Sequence, residues 1–82
     1  MTVHPPPRVR LTFPGDLVKQ PIVAQLVRRF DVTPNIRRAS VDETVGWIIC
    51  ELGGDHAEVE RAIGWLHELG VEVDRLGDVV ES

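Results

Sequence analysis

Between Arg8 and Phe13 the chain alternates without a break: Val9, Leu11 and Phe13 are apolar, and Arg8, Arg10 and Thr12 are polar. A period of two puts the apolar set on one side of an extended chain and predicts a half-buried strand. Pro14-Gly15-Asp16 then closes it with turn-forming residues. After Pro21 the period changes. Ile22, Val23, Leu26, Val27 and Phe30 recur at three and four and predict a helix with one broad apolar stripe. Pro21 suits its first turn, where the missing N–H has no helical partner to lose. Asp31-Val32-Thr33-Pro34 is expected to stop the helix, because Pro34 pushes Thr33 out of the helical region. Arg28 and Arg29 fall at the end where cations favour the helix dipole, and read as a solvated terminus.

The second half repeats the plan with an extra strand. Thr33 to Val41 alternates poorly: Ile36, Arg38 and Ser40 would share one face, and Arg37, Ala39 and Val41 the other. Neither set is cleanly apolar, which predicts an edge strand. Asp42-Glu43-Thr44 is a short polar connection. In Val45 to Leu52, Ile48, Cys50 and Leu52 alternate with Trp47, Ile49 and Glu51. Both sets are substantially apolar, which predicts a central strand covered on each side. Gly53-Gly54 breaks the chain, and Asp55 with Glu58 forms a capping box for a second helix. Val59, Ala62, Ile63, Leu66 and Leu69 carry its stripe, and Gly70 ends it. Gly64 inside this helix costs about 1 kcal/mol relative to alanine, and close packing would explain it. Val71 to Leu76 alternates again as a fourth strand.

The order strand-helix-strand-strand-helix-strand predicts an α+β, ferredoxin-like βαββαβ sandwich, a four-stranded antiparallel sheet with two helices on one face. Right-handed crossovers put the first and third strands in the centre. The other face of the sheet is left open, with Arg8, Arg10, Thr12, Trp47, Ile49 and Glu51 on it. Either a second subunit covers Trp47 and Ile49, or they form a tolerated surface pair. A covering second subunit is expected. The domain is expected over residues 8–77, with residues 1–7 as a flexible Pro-rich arm and 78–82 as a tail.

Composition narrows the function. At 82 residues the chain has length for one modest core, and a net charge of -4 argues against a nucleic-acid partner. The single cysteine, Cys50, excludes an internal disulfide or a Cys-rich metal or cluster site. The first residues lack the features of a secretory signal, and no apolar run approaches the ~20 residues that span a bilayer. A cytoplasmic protein without membrane insertion is expected. His56 and His67 stand about three helical turns apart, so they cannot share a metal unaided. Cys50 falls on the inward face of a strand, as a small core residue does. No phosphate loop is present. These observations predict neither enzyme activity nor a cofactor.

Binding remains. Asn35 presents two donors and an acceptor, enough to read an amino and a carboxylate group at once. It follows a proline at the start of a strand, where a rigid scaffold displays a side chain well. An asparagine that bonds its own turn backbone is the commoner arrangement on residue type alone.

A wider resemblance bears on this choice. Arg10-Leu11-Thr12-Phe13-Pro14-Gly15, Pro21-Ile22, Arg29-Phe30-Asp31-Val32 and Asn35-Ile36 follow one another as they do in the NIL domain. So do Gly53, Asp55, Ala62-Ile63-Gly64-Trp65-Leu66 and Gly70-Val71-Glu72-Val73. The chain thus resembles that family from Val9 to Gly77, through collinear turns and apolar positions. NIL domains are ferredoxin-like regulatory modules at the C-terminus of methionine-importer ATPases, and also occur fused to iron–sulfur modules. In the importers they dimerise through the sheet and bind methionine at the dimer interface. The resemblance implies a non-catalytic homodimer that senses L-methionine or a related sulfur amino acid. Asn35, Ile36, Arg37 and Ile49 would stand at the ligand, and Trp47, Ile49 and Arg38 at the dimer interface. Arg37 departs from the pattern, since it stands where the motif has an apolar residue. No ATPase domain and no cluster ligands accompany the domain, so a separate transporter or metabolic enzyme is the expected partner. The competing reading is an adaptor that docks on such an enzyme without a ligand of its own.

Overall fold

The computed structural model describes residues 6–76. Residues 1–5 of the expected arm, residue 77 of the expected domain and the whole expected tail, 78–82, lie outside the described residues. Four strands, β1 (Arg8–Pro14), β2 (Val32–Val41), β3 (Val45–Gly54) and β4 (Glu72–Arg75), alternate with helices α1 (Ile22–Arg29) and α2 (His56–Leu69). The strands form one antiparallel sheet in the order β2-β3-β1-β4. The first and third strands are central, as the crossover rule requires. Pro7 is tied to the sheet, its carbonyl accepting from the Leu52 N–H at 2.9 Å.

One face of the sheet and the two helices enclose the core. Val9, Leu11 and Phe13 from β1 and Ile48, Cys50 and Leu52 from β3 pack against Ile22 and Leu26 of α1. Val59, Ala62, Ile63 and Leu66 of α2 complete it. Leu11, Leu26, Leu52 and Leu66 are almost fully buried. Truncating any one of them to alanine costs about 2–5 kcal/mol. The stripe of α1 is narrower than its periodicity predicts, for Val27 is exposed. Arg29 is more than a solvated terminus: its guanidinium lies 5.3 Å from the Trp65 ring centre, and Phe30 meets the same ring at 5.8 Å.

Several local expectations are corrected. Pro14-Gly15-Asp16 does not make a simple turn, because Gly15–Lys19 forms a 3-10 segment. Gly46 lets that segment approach β3, since a Cβ there would stand 2.8 Å from Val18 Cγ2. Pro34 does not stop α1, which has already ended at Arg29; it lies inside β2, opposite Leu52. An edge strand tolerates a proline, which has no N–H to give the ladder, because only one side of such a strand is paired. Gly53-Gly54 continues β3 rather than breaking it.

The second helix begins and ends mostly as its sequence implies. Asp55 caps it by accepting from the Ala57 N–H at 3.2 Å. The reciprocal half of the capping box is absent, because Glu58 instead accepts from the Asp31 N–H at 3.1 Å and meets Arg61. At the other end Gly70 adopts φ 98°, and the Val71 N–H reaches back to the Leu66 carbonyl at 3.0 Å. That left-handed position is open to glycine without a Cβ penalty. Gly64 does not serve close packing: it is exposed, with nothing within 4 Å of a Cβ placed there.

Candidate functional site

The open face of the sheet is defined by register. Residues directly opposite one another in an antiparallel pair project to the same side. Arg8, Arg10 and Thr12 of β1 oppose Glu51, Ile49 and Trp47 of β3. On the β4 side, Arg10 opposes Asp74 and Thr12 opposes Glu72. None of these shares the side of Val9, Leu11 and Cys50, so all face away from the helices. Trp47 and Ile49 are half-buried at the centre. Ion pairs frame them: Arg8 Nη2 donates to Glu51 Oε2 at 3.0 Å, and Arg10 Nη2 to Asp74 Oδ2 at 3.3 Å.

On β2 the register corrects the expected faces. Asn35 opposes Glu51 and Ile36 opposes Cys50, but the next pair is Arg38 with Ile49. Arg37 has no partner on β3; it is the extra residue of a β-bulge. A bulge shifts the phase of alternation by one residue. Asn35, Arg38 and Ser40 therefore lie on the open face, while Ile36, Ala39 and Val41 lie on the helix side. The expected grouping of Ile36 with Arg38 and Ser40 does not occur.

Three rows cross the open face as a result. Asn35, Glu51 and Arg8 form the first; Arg38, Ile49, Arg10 and Asp74 the second; Ser40, Trp47, Thr12 and Glu72 the third. Of the residues expected at a ligand, Asn35 and Ile49 are brought to one surface in adjoining rows. Ile36 is half exposed on the other side of the sheet, and Arg37 sits at the bulge. The residues expected at a dimer interface, Trp47, Ile49 and Arg38, all share the open face. Sequence reasoning missed the placement of Glu51 beside Asn35, which depends on the pairing of two strands.

The side of the sheet facing the helices has a concavity of about 210 Å³. Phe13, Leu17, Val18, Pro21, Val41 and Ile48 are among its lining residues. Gln20 is its polar member, and no charged side chain lines it. It was not foreseen because the 3-10 segment that walls it has no periodic signature. Lacking ionic groups, it offers nothing to balance a charged ligand.

The remaining chemistry is quiet. The Cys50 thiol is fully buried, and burial, with the neighbouring Glu51 charge, pushes its pKa up to about 11. It is therefore protonated at neutral pH, whereas a nucleophilic cysteine works as the thiolate. Among the described residues no three His, Cys, Asp or Glu side chains are grouped to hold a metal ion. No helix there is long and apolar enough to cross a membrane.

Fold and surface together define a small α+β module with its two helices on one face of the sheet and the other face open. The chain belongs to the NIL domain family, which matches residues 7–75. Over 73 residues it is 32% identical to the methionine import ATP-binding protein MetN of Helicobacter pylori strain J99, covering 84% of this chain and 22% of that protein. It is 39% identical over 72 residues to MetN 1 of Listeria innocua, covering 83% of this chain and 21% of that one. The chain thus spans about a fifth of the length of these relatives. The crystal structure of the C-terminal domain of an ABC transporter ATP-binding protein from Enterococcus faecalis superposes with a TM-score of 0.77 and 26% identity. That match covers 92% of this chain and 88% of the other. The domain is thus a regulatory domain of the kind carried by ABC ATPases.

Proposed function

We propose that this chain is a non-catalytic, cytoplasmic amino-acid sensor that binds L-methionine or a related sulfur amino acid at a homodimer interface. A transporter ATPase or an enzyme of sulfur amino-acid metabolism would be the partner it regulates. The observation that carries the reading is the open face, where Asn35 and Ile49 lie in adjoining rows and Trp47 flanks Ile49. Asn35 supplies donors and an acceptor for the polar end of the ligand. Ile49 and Trp47 supply apolar area for a thioether, and sulfur packs favourably at an aromatic edge. A second copy laid over this face would cover the half-buried Trp47 and Ile49 and exclude water from the ligand. The match to MetN relatives supports methionine as the first ligand to try, and the buried, protonated Cys50 supports a role without covalent chemistry.

Titration calorimetry with L-methionine, homocysteine and S-adenosylmethionine tests this. Saturable binding of one of them, abolished in Asn35→Ala with the fold intact, is the expected result. Silence toward all three from a folded dimer would refute the ligand and leave an adaptor that docks through the same face.

A further inference from the structure

We infer that Arg38, brought beside Asn35 by the bulge at Arg37, is the residue that holds the carboxylate of an α-amino acid on the open face. The inference rests on the ligand reading above and deepens it by naming a charge-recognising residue and the ligand group it takes. Three observations carry it. Ile36 faces the helix side opposite Cys50, and the bulge after it sets Arg38 on the open face as the next paired residue there after Asn35. Arg38 lies directly opposite Ile49, and its exposed side chain forms no ion pair among the described residues. The other two cations of this face differ, since Arg8 and Arg10 are already engaged by Glu51 and Asp74.

The charges around Arg38 suit a zwitterion. Asn35 and Glu51 stand side by side in the adjoining row, an amide carbonyl and a carboxylate to which an ammonium group can donate. An arginine fork receives a carboxylate with two parallel hydrogen bonds, a geometry that lysine or glutamine cannot reproduce. Ile49 adjoins both, opposite Arg38 and next to Glu51 on the same face of β3, with Trp47 in the row beyond. Ammonium, carboxylate and apolar side chain of one small amino acid would each meet a matching group. A ligand without the carboxylate would leave Arg38 unmatched, and one without the apolar tail would leave Ile49 and Trp47 uncovered.

The test compares L-methionine with L-methioninamide, which keeps the ammonium and thioether and replaces the carboxylate by a neutral amide. Calorimetry is run on wild type, Arg38→Gln and Arg37→Gln, with the oligomeric state of each measured by sedimentation. Wild type should prefer L-methionine by about 10–100-fold, the factor expected of hydrogen bonds to a charged group. Arg38→Gln should lose that preference and bind both weakly, in an unchanged oligomeric state. Arg37→Gln should keep the preference for L-methionine over the amide. If wild type binds L-methionine and Arg38→Gln keeps both the affinity and the preference, the inference is wrong and the ligand reading stands. It is equally wrong if Arg37→Gln is the variant that loses the preference, or if Arg38→Gln loses binding only by dissociating the oligomer. A folded wild type that binds neither compound overturns the ligand reading and this inference with it.

Discussion

Alanine at Gly64 has an effect whose sign and size follow from the structure. Gly64 lies mid-way along α2, exposed, with no positive φ. A Cβ placed there has open space around it, nothing within 4 Å. The substitution therefore neither clashes nor fills a cavity, and its effect is that of helix propensity. Glycine in a helix interior is less favourable than alanine by about 0.8–1.0 kcal/mol, chiefly because the unfolded chain has more freedom to lose. In a domain of this size each kcal/mol moves the melting temperature by about 4–8 °C. Gly64→Ala is expected to melt about 3–8 °C higher than wild type in a reversible calorimetric or circular-dichroism scan. Gly54→Ala is the control of opposite sign. Its φ is 140°, and a Cβ would stand 2.8 Å from the Asp31 carbonyl oxygen, so it should melt lower. A Gly64→Ala protein that melts at or below wild type would refute the argument. It would mean that the outer face of α2 makes contacts in solution that the isolated chain does not show.

Three further outcomes are expected. Trp47→Glu places a carboxylate at the centre of the open face and should convert the proposed homodimer to a monomer by sedimentation; a persisting dimer would put the interface elsewhere, such as the edge of β2. With its pKa near 11, the Cys50 thiol at pH 8 is about 0.1% thiolate. Labelling by a thiol reagent should therefore follow unfolding, and fast labelling of the native protein would contradict this burial. Asp42 closes the β2–β3 hairpin by accepting from the Val45 and Thr44 N–H groups at 2.9 and 2.8 Å, and these bonds hold its pKa below the ordinary 3.8. A depressed folded-state pKa stabilises the fold above the unfolded value, and this contribution is lost as pH falls through the folded value. The gap in melting temperature between wild type and Asp42→Asn should accordingly shrink below pH 3.8; a gap independent of pH would show that the charge is not responsible.

Most of the architecture was legible in the amino-acid pattern. Val9, Leu11 and Phe13 declared β1, and the double-sided β3 declared itself central, because periods of two and 3.6 report directly which side of an element meets the core. The end of α2 was equally plain, since the left-handed turn at Gly70 is a local demand. With right-handed crossovers these elements admit few topologies, and the observed strand order is the one expected. The Trp47 and Ile49 side of β3 was also readable, because β3 is regular from end to end.

Tertiary structure decided the rest, where the controlling contacts join distant parts of the chain. Glu58 turns from its own helix cap to the Asp31 N–H because folding brings the end of α1 beside the start of α2. The 3-10 segment at Gly15–Lys19 is too short to carry a period, so nothing in its sequence announced the concavity behind it. Above all, the faces of β2 could not be read from the sequence. On an edge strand exposed along most of its length neither phase is strongly apolar, and a one-residue bulge leaves no trace in such a pattern. Only the pairing with β3 shows that Arg37 is the extra residue and that Asn35 and Arg38 are neighbours on one face. Local sequence determined the elements because their periods are intrinsic to the backbone; which side chains stand together at the candidate site was set by register, a property of two strands at once.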